Sequence, residues 1–309
     1  MARRGGICGS PAKRARNSSS LQFGLGVLGT SSIVMLTRTT LAEDVESKET
    51  GPATENAPEP DTLPYFSRGE PRVFASGRAV AGLGVGRLAL EGGYGKPHWA
   101  WVGTETISAI TPYFSSFQAG LHASLVVVDA MITWRRTYSF SHGLIAELAS
   151  VSAADLERSG TSKLQYDVLD ASLWGFIPYR RLLLTWEFTY VLPLALDTRN
   201  LLYEEVQRAV VSRRGLWTTK VAPMLKPVRN RAFYAGVLVE QLALMGRSRP
   251  LELRAGPSIW ANLGDHWDLY GYLSWPVVSP DSLGFWGGLY GSVGLLFRMA
   301  TGEPTAVRP

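Results

Sequence analysis

The sequence is poor in the features that mark most soluble enzymes and most helical membrane proteins. It has one cysteine, Cys8, in 309 residues. Downstream of it no disulfide, thiolate metal site or cysteine nucleophile can form. Past the N-terminal region no run reaches the roughly 18 consecutive apolar residues that a spanning helix needs. Phosphate-loop, zinc-helix (HExxH) and Gly-x-Ser-x-Gly motifs are missing. The four histidines, His98, His122, His142 and His266, have no metal-ligand spacing, so neither a metal nor another cofactor is expected. Gly82-Leu83-Gly84-Val85-Gly86 mimics a dinucleotide loop, but Arg87 takes the third-glycine place and no helix pattern follows. Small residues on a crowded strand face explain it better.

The charge excludes more than it suggests. Net charge is +5, yet six of the 31 basic residues (Arg3, Arg4, Lys13, Arg14, Arg16, Arg38) precede Ala42, with no acid among them. The other 25 face 26 acids. The basicity therefore belongs to the leader, and no nucleic-acid partner is expected.

Residues 1–42 read as a secretory signal peptide: a basic stretch to Arg16, an apolar core Leu21–Leu36, and a small-residue site at Thr40-Leu41-Ala42. An uncleaved anchor helix is the alternative. Residues 43–62 carry seven acids, one lysine and three prolines without an aromatic, the composition of a disordered linker.

What the chain does have is aromatics (10 Trp, 12 Tyr), 32 glycines and a two-residue hydrophobic period. Leu251, Leu253, Ala255, Ile259, Ala261 and Leu263 alternate with Glu252, Arg254, Ser258 and Asn262. Leu182, Leu184, Trp186, Phe188, Tyr190 and Leu192 alternate with Arg181, Thr185, Glu187 and Thr189. Helical spacing fits neither stretch. The pattern predicts strands near 78–91, 98–112, 116–140, 163–176, 180–193, 208–223, 230–245, 250–263, 266–279 and 284–299. Strand 116–140 changes its apolar face at Val127-Val128, which one inserted residue, a β-bulge, would produce.

Three observations favour a membrane barrel over a soluble β-sandwich. Segments of roughly 11–16 residues suffice to cross a bilayer at a tilt. Short turns at Tyr113–Ser116, Ile177–Tyr179, Lys226–Arg229 and Gly264–Asp265 fall on one side, and the long connections 141–162 and 194–207 on the other. Aromatics gather at strand ends: Tyr113, Phe117, Trp174, Phe176, Phe233, Trp260, Trp267 and Phe297 toward the inner interface, and Tyr94, Trp99, Tyr138, Tyr190, Trp275 and Phe285 toward the outer. The closing segment GLYGSVGLLFRM, with Phe297 near its end, resembles the C-terminal strand of bacterial outer-membrane β-barrel proteins. The resemblance covers about residues 77–299. It implies a closed antiparallel transmembrane β-barrel, all-β, of about ten strands with eight to twelve possible. It also implies the outer membrane of a Gram-negative bacterium, with membrane lipid, lipopolysaccharide and the assembly machinery as partners. The barrel is assigned to 63–299 and a tail to 300–309.

Ionisable groups on the face turned away from lipid are expensive unless they pair or meet water. Glu105, His122, Arg135, Asp170, Glu187, Glu240, Glu252, Arg254, Asp268 and Arg298 are therefore lumen candidates. They predict either a barrel plugged by paired charges or a narrow pore for small solutes. His122-Ala123-Ser124 is similar to the His-x-Ser pair of outer-membrane lipid A deacylases, which would make His122 a base and Ser124 a nucleophile. The pair faces inward, however, and no acidic orienting partner can be assigned to it. In 194–214, Leu201, Leu202, Val206 and Val210 stand at helical spacing. That predicts a short amphipathic turn over the outer mouth. Arg208, Arg213 and Arg214 are then candidates for contact with an external ligand or lipopolysaccharide, or else extend the sixth strand into solvent. The leading expectation is a non-enzymatic barrel, either a narrow channel or a structural or envelope-binding protein.

Overall fold

The computed structural model describes residues 65–67, 70–159, 164–227, 233–284 and 289–302. The predicted leader and linker, Phe285 and most of the C-terminal tail lie outside these residues. The wall consists of twelve antiparallel strands: β1 (Arg72–Gly82), β2 (Val85–Lys96), β3 (Ala100–Ile110), β4 (Phe114–Leu125), β5 (Val128–Ser139), β7 (Leu164–Tyr179), β8 (Leu182–Leu194), β11 (Leu216–Leu225), β12 (Phe233–Leu244), β13 (Leu251–Asn262), β14 (Trp267–Val278) and β15 (Tyr290–Ala300). They pair in sequence order around the wall, and β1 meets β15 from Ser76↔Ala300 to Gly82↔Gly294, which closes the barrel. Closure removes every unpaired sheet edge, the condition for β-structure in hydrocarbon.

Twelve lies at the top of the expected eight to twelve; it exceeds the ten segments marked by alternation because two of those segments are hairpins. Gly82↔Val85 and Ser124↔Asp129 are the last pairs before two-residue turns. Such a turn flips the parity of the lipid-facing positions, so it imitates a bulge. In the first turn Gly84 takes φ +75, which glycine adopts without strain. In the second, Val126 takes φ +66, a rare state for a β-branched residue. The bulge predicted at Val127-Val128 is this turn.

The missed turn at 83–84 also moves Tyr113–Ser116 to the opposite end of the barrel. The connections 97–99, 126–127, 180–181, 226–232 and 263–266 share the end that holds Arg72 and Ala300, whereas 83–84, 111–113, 140–163, 195–215, 245–250 and 279–289 lie at the other. Tyr94 and Trp99 therefore belong to the terminal end, and Tyr113 and Phe117 to the loop end. Trp174, Phe176 and Trp260 are buried and point inward, not into an interfacial belt.

The outward face carries Leu90, Val102, Leu121, Ile132, Ile177, Val237 and Val277, all more than half exposed. The inward face carries Arg78, Glu91, Glu105, Arg135, Glu240, Arg254 and Arg298, all buried. A water-soluble fold does the reverse. Exposed Tyr94, Tyr179 and Trp267 ring the terminal end, and Tyr138, Phe140, Trp217 and Trp275 the loop end, the placement that headgroups favour. No described helix is long and apolar enough to cross a membrane. The architecture is that of an outer-membrane β-barrel.

Candidate functional site: a hairpin in the lumen

The two longest loops fold inward. They supply a three-stranded sheet from β6 (Leu144–Ala146), β9 (Asn200–Glu204) and β10 (Ala209–Val211), with β9 in the middle. Every residue from Leu201 to Val211 is buried. The amphipathic helical turn expected here is thus a β-hairpin buried on both faces. Burial on both faces erases the two-residue period and leaves an apolar run that mimics helix spacing. Leu202, Ala209 and Val211 join wall residues Val168, Val191 and Leu242 in one apolar cluster. Leu201, Tyr203 and Val210 join Val151 and Leu156 in another, beneath the short helix α1 (Ala153–Arg158). The hairpin tip, Val206, belongs to the large lumen cluster with Phe176, Leu183, Met224, Trp260 and Tyr272.

Ionic contacts fix the hairpin to opposite walls. On one side Arg135 donates to Asp170 (2.7 Å) and to Glu204 of β9 (2.7 Å). Tyr166 Oη donates to Glu204 (3.1 Å) and accepts the Glu205 N–H (3.0 Å). Ser139 (2.6 Å) and His142 (2.9 Å) hold the Glu205 carboxylate. On the other side Arg254 pairs with Glu252 (2.6 Å) and donates to the carbonyls of Gln207 (2.7 Å) and Arg208 (2.9 Å) in the tip. Glu240 lies 3.5 Å from Arg254 and 3.8 Å from Lys220, which also reaches Glu187 at 3.2 Å.

A second network stays within the wall. Arg78 of β1 pairs with Glu91 of β2 and with Glu105 of β3. Glu91 also accepts from Ser76 (2.7 Å) and faces His98 (3.2 Å). His122 contacts Glu105 through Nδ1 (2.8 Å) and Asp129 through Nε2 (3.0 Å). Nearer the terminal end, Arg298 pairs with Asp268 (2.5 Å) and lies over the Phe66 ring at 5.3 Å. Phe66 is buried edge-on against His98 at 4.8 Å, and the Ser67 carbonyl accepts from Lys96 (3.0 Å). Residues 65–67 thus pack at the terminal end of the barrel.

The ten lumen candidates all face inward, and the structure joins them into these networks. Arg78, Glu91, Asp129, Lys220, Glu204 and Glu205 belong there too and were not singled out. A signal existed: several buried cations require counter-charges, and Glu204-Glu205 sit next to each other in the segment read as helical. Among the outer-loop candidates, Arg213 and Arg214 are exposed. Arg208 is instead buried, 5.5 Å over the Tyr113 ring; it follows the tip inward and does not reach the surface. His122 and Ser124 are not hydrogen-bonded to each other in the structure. Both ring nitrogens face carboxylates, which leaves none to accept a serine proton, and the Ser124 hydroxyl donates to the Trp99 carbonyl (3.2 Å). His266 lies against Phe66 at 5.9 Å and contacts the Arg298 carbonyl (2.9 Å).

The loop end has a cavity of about 430 Å³ lined by Glu252, Trp275, Ser279, Asp281 and Leu283. Asp281 ties its rim to Arg247 (2.7 Å) and to the Val151 N–H (2.8 Å). Burial pushes the Asp281 carboxyl above its ordinary range, against the pull of those two donors. Among the described residues no group of His, Cys, Asp and Glu could hold a metal ion.

No family model matches the chain, and no curated protein matches its sequence. Similar folds occur among solved structures. A KdgM porin in complex with disordered oligogalacturonate is 8% identical, with 73% of this chain and 98% of the porin covered and a TM-score of 0.38. A NanC porin is 8% identical over 73% and 98%, with a TM-score of 0.36. CdiB from Acinetobacter baumannii is 8% identical over 75% of this chain and 60% of its own, with a TM-score of 0.35.

Proposed function

We propose that this chain is a non-enzymatic barrel of a Gram-negative outer membrane, exported by the leader 1–42. In this reading its narrow lumen is shut at rest by the β9–β10 hairpin. Small solutes pass only when the hairpin withdraws toward the loop end. The observation that supports it is the burial of every residue from Leu201 to Val211 between walls bearing Arg135 and Arg254. Outer-membrane barrels place long loops outside and short turns in the periplasm, so the loop end is taken as the outer face. A loop that enters the barrel from that face, seated by apolar packing and held to opposite walls by Arg135 and Arg254, is suited to closing a pore. The engaged nitrogens of His122 weigh against lipid hydrolysis.

The test is planar-bilayer conductance of the refolded chain beside a variant whose residues 200–211 are replaced by a Gly-Ser linker. The reading expects current near the lipid baseline from the intact chain and steady channels from the variant. If both remain at baseline, the barrel is a structural or envelope-binding element and the channel reading fails.

A further inference from the structure

Where the hairpin leaves the lumen, the turn Ser212–Gly215 lies against the neighbouring loop 245–250. The Met245 N–H donates to the Gly215 carbonyl (3.0 Å), and Ser212 Oγ donates to the Met245 carbonyl (2.5 Å). Ser212 Oγ also accepts the Arg214 N–H (3.1 Å). The two loops form one fixed platform. They contain four arginines and no acid. Arg247 is used internally: it pairs with Asp281 (2.7 Å) and its side chain is buried. Arg213, Arg214 and Arg249 are exposed, and none of the three has an ion pair among the described residues.

The platform sits directly on the aromatic belt. Lipid-facing Tyr190 of β8 and Trp217 of β11 stack at 4.9 Å and 33°. The Tyr190 hydroxyl donates to the Arg214 carbonyl (3.1 Å), so the ring meets the backbone of the arginine turn itself. Trp217 is 47% exposed. Rings of this kind settle at the headgroup level, which puts the arginines at the height of lipid phosphates. A guanidinium grips a phosphate with two parallel hydrogen bonds. Three such groups on rigid loops, uncompensated by acids, above a stacked aromatic pair, match a phosphorylated headgroup with acyl chains running down the wall.

We infer that Arg213, Arg214 and Arg249 form a docking site for the phosphorylated headgroup of an outer-leaflet lipid. The site rests on the reading of the loop end as the outer face. It holds a lipid at the point where the lumen hairpin joins the wall.

The experiment is native mass spectrometry of the refolded full chain in neutral detergent with bis-phosphorylated lipid A. The comparison is a chain carrying Arg213→Gln, Arg214→Gln and Arg249→Gln. These side chains are exposed, and a heat-modifiability gel checks that both chains fold. The substitutions should weaken lipid A retention by about 100-fold, each arginine accounting for several-fold. Dephosphorylated lipid A should bind the intact chain as weakly as the variant. Equal retention by both chains, or equal retention of the dephosphorylated lipid, would overturn the site. Inorganic phosphate held by the intact chain as tightly as lipid A would make it a soluble-anion site and overturn the lipid assignment. Sidedness is read separately, by labelling Ser248→Cys in a Cys8→Ser chain on intact cells with an impermeant maleimide. Labelling supports the outer-face reading; an unlabelled thiol overturns that reading even if purified protein binds lipid A.

Discussion

Arg78 and Arg135 are the same device in two settings. Each is a buried guanidinium shared by two carboxylates: Glu91 and Glu105 for Arg78, Asp170 and Glu204 for Arg135. The difference is what the carboxylates belong to. Those of Arg78 sit on β2 and β3, so the network ties stave to stave and cannot open without distorting the wall. One of those of Arg135 sits on β9, so this network ties the wall to an inserted loop. Such a loop can leave while the wall's own hydrogen bonds stay intact. On the proposed reading, the same electrostatics serves barrel integrity in one place and closure of the lumen in the other.

Matched substitutions separate the two roles. Removing one partner from a buried ion pair leaves an uncompensated charge and costs about 3–5 kcal/mol. Arg78→Leu takes the shared guanidinium from Glu91 and Glu105, leaving them only His98, Ser76 and His122; its expected effect is a loss of that size in barrel stability, seen as a lower urea midpoint, with no rise in bilayer current. Arg135→Leu strands Asp170 and Glu204 at the same cost. Most of it falls on the docked hairpin, so frequent channel openings are expected with a smaller change in the urea midpoint. If both variants lose stability equally and neither conducts, the distinction between the networks collapses.

Arg254→Lys is a milder probe of the opposite wall. It keeps the charge beside Glu252 but loses the fork that serves the Gln207 and Arg208 carbonyls. With charged hydrogen bonds worth about 1.5–3 kcal/mol each, openings should be more frequent than in the intact chain yet rarer than in Arg135→Leu. The smallest effect is expected at the β4–β5 turn. Val126→Gly relieves a left-handed conformation that costs a β-branched residue about 1–3 kcal/mol. A slightly raised unfolding midpoint and unchanged current should follow; a lowered midpoint would mean that the valine side chain outweighs its backbone strain.

The comparison also shows what the sequence made legible. Arg254 and Glu252 were readable as inward residues because Leu251, Leu253 and Ala255 mark the lipid face around them. The wall is a surface with two unlike sides, and alternation reports that. Leu125–Val128 has no Gly, Asn or Asp to announce a turn, so two staves merged into one. The merging at Gly82–Val85 did the same, and the paired errors cancelled in the later sidedness. The hairpin was the least legible element because both its faces are buried, and Leu201 to Val211 then carry no period that distinguishes strand from helix. Glu204 and Glu205 could not be placed in the lumen before their segment was.

The β9–β10 hairpin occupies the lumen of the barrel, with every residue from Leu201 to Val211 buried. In a Cys8→Ser chain, Val206→Cys puts one small thiol at the hairpin tip, and Ser248→Cys puts one on the exposed loop 245–250. The rates at which a polar maleimide labels the two in folded protein test this placement directly. The Val206→Cys thiol should react at least about 100-fold more slowly, the protection given by roughly 2.7 kcal/mol of local opening. Adding Arg135→Leu should remove much of that protection. Equal rates at the two thiols would place the hairpin in solvent and contradict the account.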